Sequence, residues 1–181
     1  MLRAVIQAGE AFENPSTGTR LEVRESTPER VVFDRRYPPH TGRADPHVHL
    51  DLTQSWEVLS GEARAVLDGE TRELKAGERV EVPTGVPHQD IHNPYDGELT
   101  VRWTVAPMND FVEAFADAYS YLLTNDELND QDEFTPLQIF PILHATKAQS
   151  WLARIPIPLQ KLIIPVGAWI GRRRGYKPRY D

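Results

Sequence analysis

Pro46-His47-Val48-His49 and Pro83-Thr84-Gly85-Val86-Pro87-His88 are the two stretches around which the rest of this sequence arranges itself. Side chains alternate faces along a strand, so His47 and His49 project the same way, about 7 Å apart. His88 follows a Pro-x-Gly turn, where a new strand begins. Two imidazoles from one strand and a third from another form a facial set of donors suited to a divalent metal ion. A single histidine is more often structural or exposed, but three at this spacing are not single.

Outward from these stretches, short apolar runs alternate with turn signals. Arg20–Glu25, Arg30–Tyr37, His47–Leu50, Ser55–Ser60, Ala63–Leu67, Thr71–Leu74, Arg79–Val82, Gln89–His92 and Leu99–Val105 read as strands. Ser60-Gly61, Asp68-Gly69, Ala76-Gly77, Thr84-Gly85 and Asp96-Gly97 separate them as turn-forming pairs. Many short strands with regular glycine turns indicate a sandwich or barrel rather than a parallel α/β sheet. After Pro107 the period changes. Phe111, Val112, Phe115, Tyr119, Leu122 and Leu123 recur at helical spacing, with Asn109 or Asp110 as N-cap. Residues 125–133 read as a polar acidic loop, and Pro136–Ala148 as a shorter helix interrupted by Pro141. No repeat of solenoid or propeller period is present.

The chain of 181 residues is long enough for one domain with an appendage. It has no cysteine, which excludes disulfides, thiolate nucleophiles and cysteine-bound zinc. The net charge of −7 argues against nucleic-acid binding. That average hides an asymmetry, because residues 108–133 carry eight acids and no base, whereas residues 134–181 carry eight bases and one acid, Asp181. The N-terminal MLRAVIQAGEAFENP has too few apolar residues for a signal peptide, which makes the cytoplasm the expected location.

The two histidine stretches resemble the paired motifs of the cupin family. The first family motif is Gly-x5-His-x-His-x(3,4)-Glu-x6-Gly, and here Gly42, His47, His49, Gln54 and Gly61 follow it, with four residues between Gly42 and His47. The second is Gly-x5-Pro-x-Gly-x2-His-x3-Asn, and here it reads Gly77, Pro83, Gly85, His88 and His92. The resemblance covers residues 40–95, and the lead-in GEAFENPSTGTRLEVRES is similar to that of single-domain cupins. It implies a mainly β, double-stranded β-helix (jelly-roll) barrel over residues 12–107 and a C-terminal α-helical extension over 108–181. It also implies one divalent ion, Fe, Mn, Ni or Zn, on His47, His49, His88 and Gln54, and a homodimer.

Two departures stand out. Gln54 replaces the family's glutamate, and an amide brings a carbonyl oxygen but no charge, which would leave the ion its full +2 and an attraction for anions. Asp51, in phase with His47 and His49, is a rival carboxylate. His92 replaces the family's asparagine and is in phase with His88 and Asp90, so all three are expected to line one cavity. It reads as a wall residue or as the proton carrier. His40 and His144 read as surface residues. Trp56, Val58, Val101 and Trp103 are expected to fill or wall the barrel, while Arg64 and Arg102 either neutralise an acidic substrate or face solvent.

Trp151–Gly171 is apolar and precedes Arg172-Arg173-Arg174, but Pro156, Pro158, Pro165, Arg154 and Lys161 interrupt it, which argues against a transmembrane span. The arm is expected to pack on the barrel or on a second subunit, with contact to anionic lipid as the minor reading. Two functions fit. One is a metalloenzyme of dioxygenase, isomerase or decarboxylase type acting on a small organic, possibly anionic, molecule. The other is a non-catalytic small-molecule-binding cupin with a vestigial metal site. Polar groups facing the cavity beyond the metal ligands would favour the first; a purely apolar lining would favour the second.

Overall fold

Strands β2 (Arg20–Ser26), β3 (Val31–Tyr37), β5 (Thr53–Ser60) and β10 (Leu99–Ala106) turn one set of side chains inward. Directly opposed residues on neighbouring strands share a face. Val101 opposes Arg35 and Val58, Trp103 opposes Phe33 and Trp56, and Val105 opposes Val31 and Gln54. The structure is a computed structural model that describes residues 6–180. The reading of the N-terminal stretch rests partly on residues 1–5, and Asp181 also lies outside the described residues.

Two antiparallel sheets form the barrel. With β1 (Ala11–Glu13) and β8 (Arg79–Val82), the first runs β1-β2-β3-β10-β5-β8. The second contains β4 (His47–His49), β6 (Glu62–Leu67), β7 (Glu70–Lys75), β9 (His88–His92) and β11 (Ser150–Leu152), in the order β11-β4-β9-β6-β7. The turn between β5 and β6 needs glycine, because Gly61 has φ +84 and a Cβ there would sit 2.4 Å from the Glu98 carbonyl oxygen. Between the sheets, Trp56, Val58, Ala63, Ala65, Leu67, Ile91, Leu99 and Val101 form one apolar cluster.

At the other end of the barrel, helices replace the second sheet. Helix α1 (Asp110–Thr124) is capped by the Asn109 side chain, which accepts from the Val112 N–H. Its apolar stripe, from Phe111 to Leu123, joins Leu21, Val23, Val31, Phe33 and Val105 in a second cluster. Helix α2 (Pro136–Thr146) follows a Thr135/Gln138 capping box. Helix α2 is not interrupted at Pro141 as expected, and α3 (Ile157–Arg173) likewise runs on through Pro165. Pro158 lies in the first turn of α3, where no intrahelical N–H is required.

The segment between α1 and α2 is a loop, exposed at Asn125, Asp126, Glu127 and Asp130 but buried at Asp132 and Glu133. Asn14 Nδ2, Thr17 Oγ1 and Thr19 Oγ1 donate to the Asp132 carboxylate at 2.8, 2.7 and 2.5 Å, and Tyr119 donates to its backbone oxygen. The extension also supplies β11, a strand absent from the sequence reading, whose residues 150–152 pair with 49–47. Gln160 ties β11 to α3 by accepting from Leu152 N–H and donating to the Leu152 and Ile155 carbonyls. Among the described residues no helix is long and apolar enough to cross a membrane.

Candidate metal centre

Strand periodicity and one cross-strand pair assemble the three histidines. His47 and His49 share a face of β4, and His88 on β9 directly opposes His47. Their ring centroids lie 4.9 Å (His47–His49), 4.4 Å (His47–His88) and 5.4 Å (His49–His88) apart. One nitrogen from each ring falls within 4.8 Å of the other two.

The hydrogen bonds behind the rings decide which nitrogens face the centre. A backbone carbonyl only accepts, so His47 Nδ1–H donates to Asp45 O at 2.7 Å and His88 Nδ1–H to Val86 O at 2.9 Å. In the neutral imidazoles Nε2 then presents a lone pair. Burial, which Asp90 only partly opposes, lowers the His88 pKa. Burial first, then the neighbouring His47 and His88 rings, hold His49 well below the usual imidazole range.

A carboxylate stands beside two of the three rings. Asp90 Oδ1 lies 3.7 Å from His47 Nε2 and 3.6 Å from His88 Nε2, too far for hydrogen bonds to either. Asp90 Oδ1 and His49 Nδ1 are both buried without a hydrogen-bond partner. Asp90 thus faces the two rings without a hydrogen bond to either, and the His88 lone pair also meets the Gln54 amide. Such a group is mutually repulsive unless a cation lies within it, and nitrogen donors with one oxygen suit Fe, Mn, Ni or Zn. The donor set therefore fits a divalent ion.

Gln54 sits beside this group with its amide already engaged. An indole only donates, so the atom facing Trp103 Nε1 at 2.6 Å is the Gln54 oxygen, and the Gln54 amide nitrogen faces His88 Nε2 at 3.1 Å. In this orientation the oxygen expected to act as ligand is taken by Trp103. Asp51 is exposed beyond the end of β4.

His92 is not in phase with His88 and Asp90. The ladder between β6 and β9 shifts register, with Val66 opposing Gln89 and Arg64 opposing His92. Asp90 and Ile91 together therefore face Ala65, a β-bulge that reverses the alternation beyond it. Asp90 lines the cavity, Ile91 joins the barrel core, and His92 does neither. Its Nδ1 lies 3.2 Å from Asp90 O, and burial lowers its pKa.

The centre opens onto a cavity of about 140 Å³ under α1 and α2. Phe33, Trp103, Phe111, Phe115 and Phe134 make its apolar wall, and Asp90, Gln54 and Glu133 are polar groups within it. The sequence offered no signal for Glu133, which looked like any other acid of its loop. It is buried, with Oε1 2.8 Å from Arg35, whose guanidinium lies 4.3 Å from the Tyr37 ring centre and 4.9 Å from that of Tyr119. Burial raises Glu133 to about 7 against the pull of Arg35, with Asp90 and Asp132 adding to the rise. Arg64 and Arg102 do not reach the cavity, because Arg64 pairs with Glu73 and Arg102 with Asp34. His40 and His144 are exposed.

An antiparallel jelly roll with three histidines on two adjacent strands defines a double-stranded β-helix barrel with a candidate metal centre. Residues 33–105 match the cupin domain family. Among solved structures it is similar to KdgF from Halomonas sp., at 20% identity over 55% of this chain and 87% of that one, with TM-score 0.47. It is also similar to an uncharacterized conserved protein with a double-stranded β-helix domain from Klebsiella pneumoniae, at 28% identity over 49% and 72%, with TM-score 0.43. A cupin-superfamily sugar phosphate isomerase from Silicibacter pomeroyi matches at 17% identity over 55% and 71%, with TM-score 0.45. No curated protein matches the chain in sequence.

Proposed function

We propose that this cupin holds one divalent metal ion on His47, His49 and His88, with Asp90 rather than Gln54 as the fourth protein ligand, and acts on a small organic molecule in the adjoining cavity. The observation that carries the reading is the convergence of three histidine nitrogens within 4.8 Å of one another, with the unpartnered Asp90 Oδ1 beside two of the rings. When bound, the ion would supply Lewis acidity toward an oxygen of the ligand, the chemistry shared by cupin dioxygenases, isomerases and decarboxylases.

The chain's own residues divide the remaining work. The aromatic wall excludes water and admits a ligand of few heavy atoms, since the cavity is smaller than the usual ~300–1,000 Å³. No arginine or lysine lines the cavity, so an anionic group on the ligand would be recognised at the metal centre. Glu133, a polar group beyond the metal ligands, favours catalysis over simple binding. Its carboxyl is poised to take or give a proton near neutral pH, a role that Glu133 fills in place of His92.

Metal analysis of untagged protein by mass spectrometry tests the reading, beside a His47→Ala, His49→Ala variant and Asp90→Asn. Near-stoichiometric metal in the parent and its loss in the double variant are expected. Asp90→Asn should lower affinity at least about tenfold, the effect that even a partner behind a ligand has. Equal trace metal in parent and double variant would overturn the metalloenzyme. The protein would then be a small-molecule-binding cupin in which the Gln54 amide occupies the His88 lone pair.

A further inference from the structure

Helix α3 packs with its small residues inward and its large ones outward. Gly167 and Gly171 meet α2 so closely that a Cβ would fall 2.1 Å from the Phe140 ring and 2.3 Å from the Leu137 carbonyl oxygen. Gln160, Ile164 and Ala168 complete the buried face. On the opposite side Leu159, Leu162, Ile163, Val166, Trp169 and Ile170 form a stripe at i, i+3, i+4, i+7, i+10 and i+11. Of the nine large apolar side chains exposed among the described residues, these are six, with Leu162 at 71% and Val166 at 59%. Among the described residues nothing covers them.

Charge selects what does. The stripe runs into Arg172, Arg173 and Arg174, and the Arg173 guanidinium lies 4.3 Å over the Trp169 ring. From residue 134 to 180 the chain carries bases and no acid. A second copy laid on this face would find no carboxylate on α3 to meet its arginines, whether the two helices ran parallel or antiparallel. Two acids of α1 already meet the chain's own tail, through Arg179 to Glu113 at 3.2 Å and Tyr180 N–H to Asp117 at 2.6 Å. An apolar stripe ending in tryptophan and a basic cluster is instead matched to the boundary between lipid headgroups and acyl chains.

We propose that α3 is a peripheral membrane anchor that lies flat on an anionic bilayer, with Leu162, Val166 and Trp169 in the acyl boundary and Arg172, Arg173 and Arg174 among lipid phosphates. The net charge of −7 does not oppose this, because Arg172, Arg173 and Arg174 are exposed at the end of α3 and residues 134–180 contain no acid.

Co-sedimentation of the full chain with phosphatidylcholine vesicles, with and without phosphatidylglycerol, tests the proposal alongside analytical ultracentrifugation. Binding only to the anionic vesicles, weakening as salt is raised, is expected. Changing Arg172, Arg173 and Arg174 together to Gln should lower partitioning about a hundredfold, since each base near an anionic surface contributes about fivefold. Leu162→Glu with Trp169→Glu should abolish it, and an unchanged thermal melt of this variant shows that the fold survives. Absence of binding to anionic vesicles overturns the proposal. So does a dimer that the Leu162→Glu, Trp169→Glu variant dissociates, because a second copy then covers the stripe.

Discussion

The two ends of the barrel are built on the same inward face of the six-stranded sheet and reach opposite results. At one end Trp56, Val58 and Val101 meet Ala63, Ala65 and Ile91 of the second sheet, and the space is filled. At the other, Phe33 and Val105 meet α1, while the second sheet offers the imidazoles of His47 and His49 beside Trp151 and Leu152. Two sheets of complementary twist interdigitate closely. Helices laid across a sheet end leave a gap, and here that gap lies beside the polar groups. The comparison teaches that the cavity arises from a change of packing partner, not from a different kind of strand.

The largest test of this difference is truncation of one aromatic at each end. Trp56→Ala, fully buried in the filled cluster, should cost about 3–5 kcal/mol in denaturant unfolding. Phe115→Ala borders existing space and should cost about half as much. Equal losses would mean that the second end is packed as tightly as the first.

A pH series sharpens the electrostatic side of the contrast. Glu133 is raised from 4.5 to about 7, so its protonated form favours the folded chain. Its contribution is fully present below about pH 4.5 and is lost as pH rises through about 7. At about 1.4 kcal/mol per pH unit this is on the order of 3 kcal/mol. Denaturant titrations at several pH values should show the parent losing stability across that window relative to Glu133→Gln, which cannot titrate there. An identical slope in both would place the titration elsewhere.

The smallest effect is expected where the two ends meet. Trp103→Phe keeps the ring but leaves the buried Gln54 oxygen without its donor, at a cost of about 1–3 kcal/mol toward the lower end of that range. Unchanged stability would show that the Gln54 amide can turn to another partner.

Much of this was legible in the residues, and the failures have physical causes. The Pro46–His49 stretch put His47 and His49 on one face because period-two alternation is a local rule, and the resemblance of Pro83–His88 to the second cupin motif added His88, which the structure pairs with His47. The same rule misplaced His92, since one extra residue opposite Ala65 inverts a strand's faces and leaves no mark in composition. Asp51 was weighed as the missing carboxylate by the same alternation, yet β4 ends at His49 and Asp90 stands nearer the imidazoles. Glu133 was one acid among eight until Asp132, held by Asn14, Thr17 and Thr19, fixed its loop against the barrel.

By itself the sequence determined a β sandwich or barrel with His47 and His49 on one strand and His88 on another, and a C-terminal extension of opposite charge at its two ends; the jelly-roll topology was what the resemblance to cupins implied. Those features follow from spacing, turn residues and charge, which neighbours in the chain decide. Only the tertiary structure decided that Trp103 claims the Gln54 oxygen, that Asp90 and Glu133 enter the cavity, that Ser150–Leu152 joins β4, and that α3 turns its large apolar residues outward. Each depends on which distant surface a segment meets, and burial and partner choice are properties of that meeting rather than of either segment alone.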